Sequence, residues 1–162
     1  MIGTRRWMAL RGLPLLGAAG LLQGQATSRN VKLSSPATLA KPNGYSHVAE
    51  VTGGKTVYIA GQVALDKVGQ LVGKDDFHAQ VGQVFANLNE AVKAAGGTFH
   101  DVVKISYFCV DRVDRSQLPG LREIRDRFVN TEAPPVSTLV FVRDLVRPEW
   151  LIEVEAVAVV RS

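Results

Sequence analysis

The stretch PEWLIEVEAVAVV (148–160) decides the fold. From Leu151 onward, aliphatic residues at nearly every position and the absence of any glycine or proline read as a strand. Pro148 cannot continue a helix into it. Glu153 and Glu155 are two residues apart, and in an extended chain that spacing puts both on one face. A carboxylate on a buried surface is costly unless something pairs with it or solvates it. One face of this strand therefore packs into the core. The other looks at water, at a partner chain, or at a reaction.

Working outward, VVKISYFCV (102–110) is a second strong strand, and PPVSTLVFV (134–142) is a third, because two prolines bar a helix. YSHVAEV (45–51) and KTVYIAGQVAL (55–65) are also strand-like, and TGGK between them is expected to turn a hairpin through Gly53 and Gly54. From Asp76 the period changes. Phe77, Val81, Val84, Phe85, Leu88, Ala91, Val92 and Ala95 recur at threes and fours, one face of an amphipathic helix, ended by Gly96 or Gly97. A second helix begins near Pro119 and buries Leu121, Ile124 and Phe128, with its arginines expected on a solvated face. The order β-β-α-β-α-β-β describes a two-layer α+β domain with two helices on one face of a mixed sheet. The other face is left uncovered and partly apolar, so a homo-oligomer of cyclic symmetry is expected to close it.

Composition narrows the function classes. Hydrophobic residues make up 46% of the 162 and charged residues 21%, which excludes global disorder. The net charge of +4 invites a nucleic-acid reading, but Arg5, Arg6 and Arg11 supply three of those charges and no acid precedes Glu50. A body nearly neutral without them lacks the basic footprint that phosphate binding needs. The single cysteine, Cys109, cannot form an internal disulfide and reads as an inert buried side chain. His47, His78 and His100 have no metal-ligand spacing, so no metal is expected. No G-x-x-x-x-G-K-[ST] or G-x-G-x-x-G is present, so no nucleotide-phosphate cradle is indicated.

The first 26 residues have a basic start, an apolar stretch from Met8 to Leu22 and a small-residue end at Gly24 and Ala26, the pattern of a signal peptide. TRRWMAL is similar to the twin-arginine export motif. Arg11 and Pro14 interrupt the apolar run, which is too short for a stable membrane span. The expected division is a leader over 1–26, an extended lead-in over 27–44 and the folded domain over 45–162. The protein is then periplasmic or secreted, or cytoplasmic if the start is mis-assigned.

The segments VYIAGQVALDKVGQLVG, QVGQVFANLNEAVKAAGGTFHDVVKISYFCVD and LIEVEAVAV, in this order and spacing, resemble the Rid (reactive intermediate deaminase, RidA- or YjgF-like) family. The resemblance runs from GYSHVAEV to the C-terminus. It implies a chorismate-mutase-like α+β subunit, a homotrimer with ligand clefts between subunits, and hydrolysis of reactive enamines and imines without metal or cofactor. Carried over, Glu153 is the carboxylate associated with the attacking water, and Tyr45 the N-terminal tyrosine of the pocket. Ala60, Gly61 and Gln62 stand where the family has S-G-Q, with Gly61 as the substrate-side backbone. PPVS stands for P-A-R-S, so Val136 replaces the arginine that grips the substrate carboxylate, and Ser137 and Thr138 follow it; Leu121 takes the place of a frequent asparagine.

That replacement is the main departure. An arginine holds a carboxylate through two charge-assisted hydrogen bonds. At ~1.5–3 kcal/mol each, their loss costs several orders of magnitude in affinity. Arg122, Arg125, Arg143 and Arg147 are the candidates to compensate, each expected to be a surface charge. Two function classes follow. One is a hydrolase acting on C=N, with Glu153 as general base and Gly61 N–H and the Ser137 or Thr138 hydroxyls orienting a substrate less anionic than 2-aminoacrylate. The other is a non-catalytic, exported trimer that binds a small ligand or acts as a chaperone.

Overall fold

A computed structural model describes residues 30–161. The expected leader lies outside the described residues. The elements in chain order are β1 (Val31–Ser34), β2 (Val48–Val51), β3 (Lys55–Gln62), α1 (Phe77–Ala94), β4 (Val102–Val110), α2 (Leu118–Arg125), β5 (Val136–Val142) and β6 (Ile152–Val160), with short 3-10 turns before β4 and α2. The domain is α+β, with a four-stranded mixed sheet ordered β3-β6-β4-β5, in which only β4 and β5 run parallel.

The helix ends are set by local chemistry. Asp76 caps α1 by accepting a hydrogen bond from Ala79 N at 3.0 Å. At the other end Gly96 takes φ +87°, its N–H reaches Lys93 O and that of Gly97 reaches Val92 O, which satisfies two orphan carbonyls. Of the two glycines expected there, Gly96 is thus the left-handed one. The face of α1 that carries Phe77, Val81, Val84, Phe85, Leu88 and Val92 is buried against the sheet, where Ile105, Tyr107, Ile152, Val154 and Ala156 complete the core. In α2 Leu121 is buried and Ile124 packs against the core from a partly exposed position, as does Phe128 in the turn after the helix.

Three expectations need correction. The lead-in contains a strand, β1, so one strand more is present than the periodicity revealed. The hairpin partner of β2 is β1, with Val31 opposite Val51, and not β3, which pairs with β6. Gly53 and Gly54 do turn the chain, but they pass it from one sheet to another. Thr52 N binds Asn30 O at 2.8 Å and holds β2 on the earlier strand, while Lys55 pairs directly with Val160. Finally, the arginines of α2 do not all face water: Arg125 is buried, with 7% of its surface exposed.

One fully buried polar side chain fixes the start of β6. Gln80 Nε2 donates to Gly73 O (3.1 Å) and Glu149 O (2.9 Å), and its Oε1 accepts from Leu151 N (2.8 Å). It ties α1 to the turn from which Glu153 projects two residues later.

Candidate functional site

The alternation of β6 separates its two faces as the spacing predicts. Ile152, Val154, Ala156 and Ala158 are buried under the helices, whereas Glu153 is half-buried and Glu155 exposed on the opposite, open face. Beside Glu153 the ladder is irregular. Ile59 pairs with Ala156 and Gln62 with Val154, so three steps on β3 face two on β6. The extra residue is a bulge at Ala60–Gly61, which takes one backbone unit out of the ladder and turns it toward the open face. The Glu153 side chain lies against this bulge: a Cβ at Gly61 would sit 2.7 Å from Cδ of Glu153 and closer still to Oε1. A larger residue at position 61 would force the Glu153 carboxylate to swing away from the bulge. Among the described residues Glu153 makes no hydrogen bond and no ion pair. The Glu153 carboxylate and the bulged backbone beside it, whose Ala60 O accepts from Gln62 Nε2 at 3.1 Å, form one half of a site.

The other half lies at the opposite end of the sheet. Tyr45 is half-buried, its ring edge-on to His47 with centroids 5.2 Å apart. The next residue, Ser46, bridges to Val136, donates its N–H to Pro135 O (3.3 Å) and its hydroxyl to Pro134 O (2.7 Å). Tyr45 thus directly precedes the bridge partner of Val136, and a cavity of about 350 Å³ opens beside Tyr45, with Ser46 and Pro134 also in its wall and Val136 outside it. Val136 and Thr138 share the open face with Glu153, while Ser137, in register with buried Ile105, belongs to the helix-side face. Of the two hydroxyls, only that of Thr138 is on the face of the carboxylate.

The halves do not meet in one chain. Val136 is opposite Lys104, and Glu153 is opposite Phe108. Four residues of β4 separate them, about 13 Å along the strands alone. A small molecule touching Glu153 cannot also touch Val136 of the same protomer.

None of the four candidate arginines fills the gap beside Val136. Arg143 is 94% exposed at its side chain and 3.8 Å from Asp144, and Arg147 lies over the Trp150 ring at 5.5 Å. Both follow β5, roughly 20 Å of strand beyond Val136. Arg122 is exposed on α2. Arg125 is spent on its own scaffold: Nη1 donates to Gly44 O at 2.7 Å, and Nη2 and Nε bind the Asp126 carboxylate. It clamps the loop that carries Tyr45. Sequence reasoning missed this role because the partner is a backbone oxygen 81 residues away.

Buried titratable groups near β4 are structural. Burial pushes the Tyr107 phenol far up, and the Arg125 guanidinium beside it only partly offsets this. Burial pushes the Cys109 thiol up to about 12. The thiolate is the reactive form, so at pH 8 essentially none is present. The native protein is expected to leave Cys109 unmodified by a maleimide at pH 8 over an hour and to react fully in denaturant. Fast labelling of the native form, read by mass spectrometry, would contradict this. Among the described residues no three His, Cys, Asp or Glu side chains come together as a metal site, and no helix is long and apolar enough to cross a membrane. A second cavity, about 470 Å³, lies at the far end of β6 beside His100 and Val159 and includes none of the site residues.

The chain matches the family model described as endoribonuclease L-PSP over residues 36–160. It is similar to the conserved Rid-family protein YyfB of Yersinia pestis, at 37% identity and a TM-score of 0.73, over 81% of this chain and 99% of that one. Protein DfrA of Myxococcus xanthus is 32% identical over 115 residues, 71% of this chain and 84% of the relative. A 2-iminobutanoate/2-iminopropanoate deaminase of Dermatophagoides farinae is 27% identical over 128 residues, 79% of this chain and 94% of that protein.

Proposed function

This chain belongs to the Rid family, and from that premise we propose that it hydrolyses a small imine or enamine that lacks a free carboxylate, in a cleft completed between two copies of the chain. The carrying observation is the Glu153 carboxylate, without a partner among the described residues, against the bulge at Gly61. Glu153 takes a proton from water as the water oxygen bonds to the C=N carbon, and the nitrogen gains a proton. The carbinolamine then collapses, the C–N bond breaks, ammonia or an amine leaves, and a carbonyl product remains. The Gly61 backbone and the Thr138 hydroxyl orient the substrate, and no cofactor is needed. A half-buried carboxylate within hydrogen-bond reach of water is suited to this work.

Two copies are required because Tyr45 and Val136 are too far from Glu153 in one. A trimer of cyclic symmetry brings the Tyr45–Val136 end of one sheet to the Glu153–Gly61 end of the next. Val136 makes that wall apolar, which selects against 2-imino acids.

The experiment is a panel assay. Purified protein is mixed with freshly generated 2-aminoacrylate and with neutral imines of increasing size, and ammonia and carbonyl release are followed. Neutral imines are expected to be accelerated and 2-aminoacrylate barely so. Val136→Arg is expected to raise kcat/KM for imino acids on the order of 10²-fold by restoring a bidentate grip. No acceleration of any imine sinks the hydrolase reading. Val136 also favours a second reading, a trimer that binds a small apolar ligand without turnover. Saturable binding of the neutral imines with no product release would establish it.

A further inference from the structure

The open face of the sheet carries two charges that the candidate site does not use. Lys104 on β4 is in register with Val136 and Val157, and Glu155 on β6 is in register with Ser106. Both side chains are exposed and stand on the same face, one diagonal step apart. Long side chains at that spacing can reach each other, yet no hydrogen bond or ion pair joins Lys104 or Glu155 to any described residue. Apart from Glu153, the face around them is largely apolar or uncharged: Tyr58 is 82% exposed, Val140 is 39% exposed, and Phe108 and Val157 are partly covered. A second copy of the chain covering this face would take both charges out of water. That is costly for each charge alone and tolerable only if each finds its opposite.

We infer that Lys104 of one subunit pairs with Glu155 of the next, and that this pair sets the register in which the open faces associate. On this face Lys104 and Glu155 stand at a fixed offset, with the site carboxylate Glu153 one further step along β6. A cyclic arrangement repeats the same contact at every interface, so a trimer closes with three identical pairs. The inference rests on the assembly reading proposed above and adds to it the residues that decide its geometry.

Charge reversal tests this. Lys104→Glu, Glu155→Lys and the double reversal are compared with the unaltered chain by analytical ultracentrifugation over a concentration series, with far-UV circular dichroism to establish folding. Each single reversal sets like charges against each other at every interface. It is expected to weaken association about 100-fold or more, and the double reversal is expected to recover association to within about tenfold of the original. An unaltered chain that sediments as a monomer overturns the assembly reading and the pair with it. A trimer that tolerates both single reversals overturns the pair alone, as does a double reversal that fails to restore association. If a reversal does not fold, Lys104→Gln, Glu155→Gln and their double serve as a thermodynamic cycle. Coupling between them supports the pair, and simple additivity overturns it.

Discussion

Glu153→Gln is expected to lower kcat for imine hydrolysis by about 10²–10⁴-fold while leaving the fold intact. Glutamine has nearly the same shape, so it occupies the space that Gly61 leaves and disturbs no packing. It cannot accept the proton of the attacking water at neutral pH, so the loss falls on the chemical step. KM is expected to change little, because the walls that contact the substrate body are untouched. The carboxylate makes no ion pair with any described residue, and its removal therefore strands no partner. Thermal midpoint and sedimentation should match those of the unaltered chain within error. A glutamine variant that retained hydrolysis within about threefold would show that Glu153 is not the base, and the proposed mechanism would fall even if the protein proved to be a hydrolase.

The second large effect is on stability. Gln80→Leu keeps the volume of a fully buried side chain but removes three hydrogen bonds at once. Glu149 O and Leu151 N then lose the partner Gln80 supplies, whereas Gly73 O keeps the Asp76 N–H at 3.0 Å. At about 1–3 kcal/mol for each of these two groups left unsatisfied, the expected loss is roughly 2–6 kcal/mol. That is a large part of the ~5–15 kcal/mol that stabilises an ordinary domain. A drop in thermal midpoint on the order of 10 °C or more should follow, measured by calorimetry at fixed protein concentration. A shift under about 2 °C would mean that the turn before β6 holds without Gln80. The same variant should lose activity faster than fold on warming, because Glu153 starts from the segment that Gln80 anchors.

The two predictions mark how legible the protein is. Glu153 could be placed on an open strand face from its spacing with Glu155 alone, and Gly61 beside it from the family resemblance. Gln80 was legible in principle: three residues after Phe77 and four before Val84, it falls on the apolar stripe of α1. A polar residue on such a stripe signals buried hydrogen bonds, although its partners, 69 and 71 residues away, leave no local trace. Arg125 was read as a surface charge because helix periodicity says which face a residue takes and not what lies opposite. The strand β1 was missed because four residues among serines and prolines have no period to read.

By itself the sequence determined what is local. Side chains alternate every two residues in a strand and recur every three to four in a helix, so VVKISYFCV, LIEVEAVAVV and the stripe of α1 disclose their elements and buried faces wherever they end up. The uncovered sheet face follows from the same count of two helices against one sheet. Tertiary structure decided what depends on pairing across the chain. It set β6 between β3 and β4, gave β2 to β1, and placed one bulge where Gly61 meets Glu153. It also parted Val136 from Glu153 by four rungs of β4. Register is a non-local choice, fixed by which strands meet and how far each slides. No periodicity in a single segment records it.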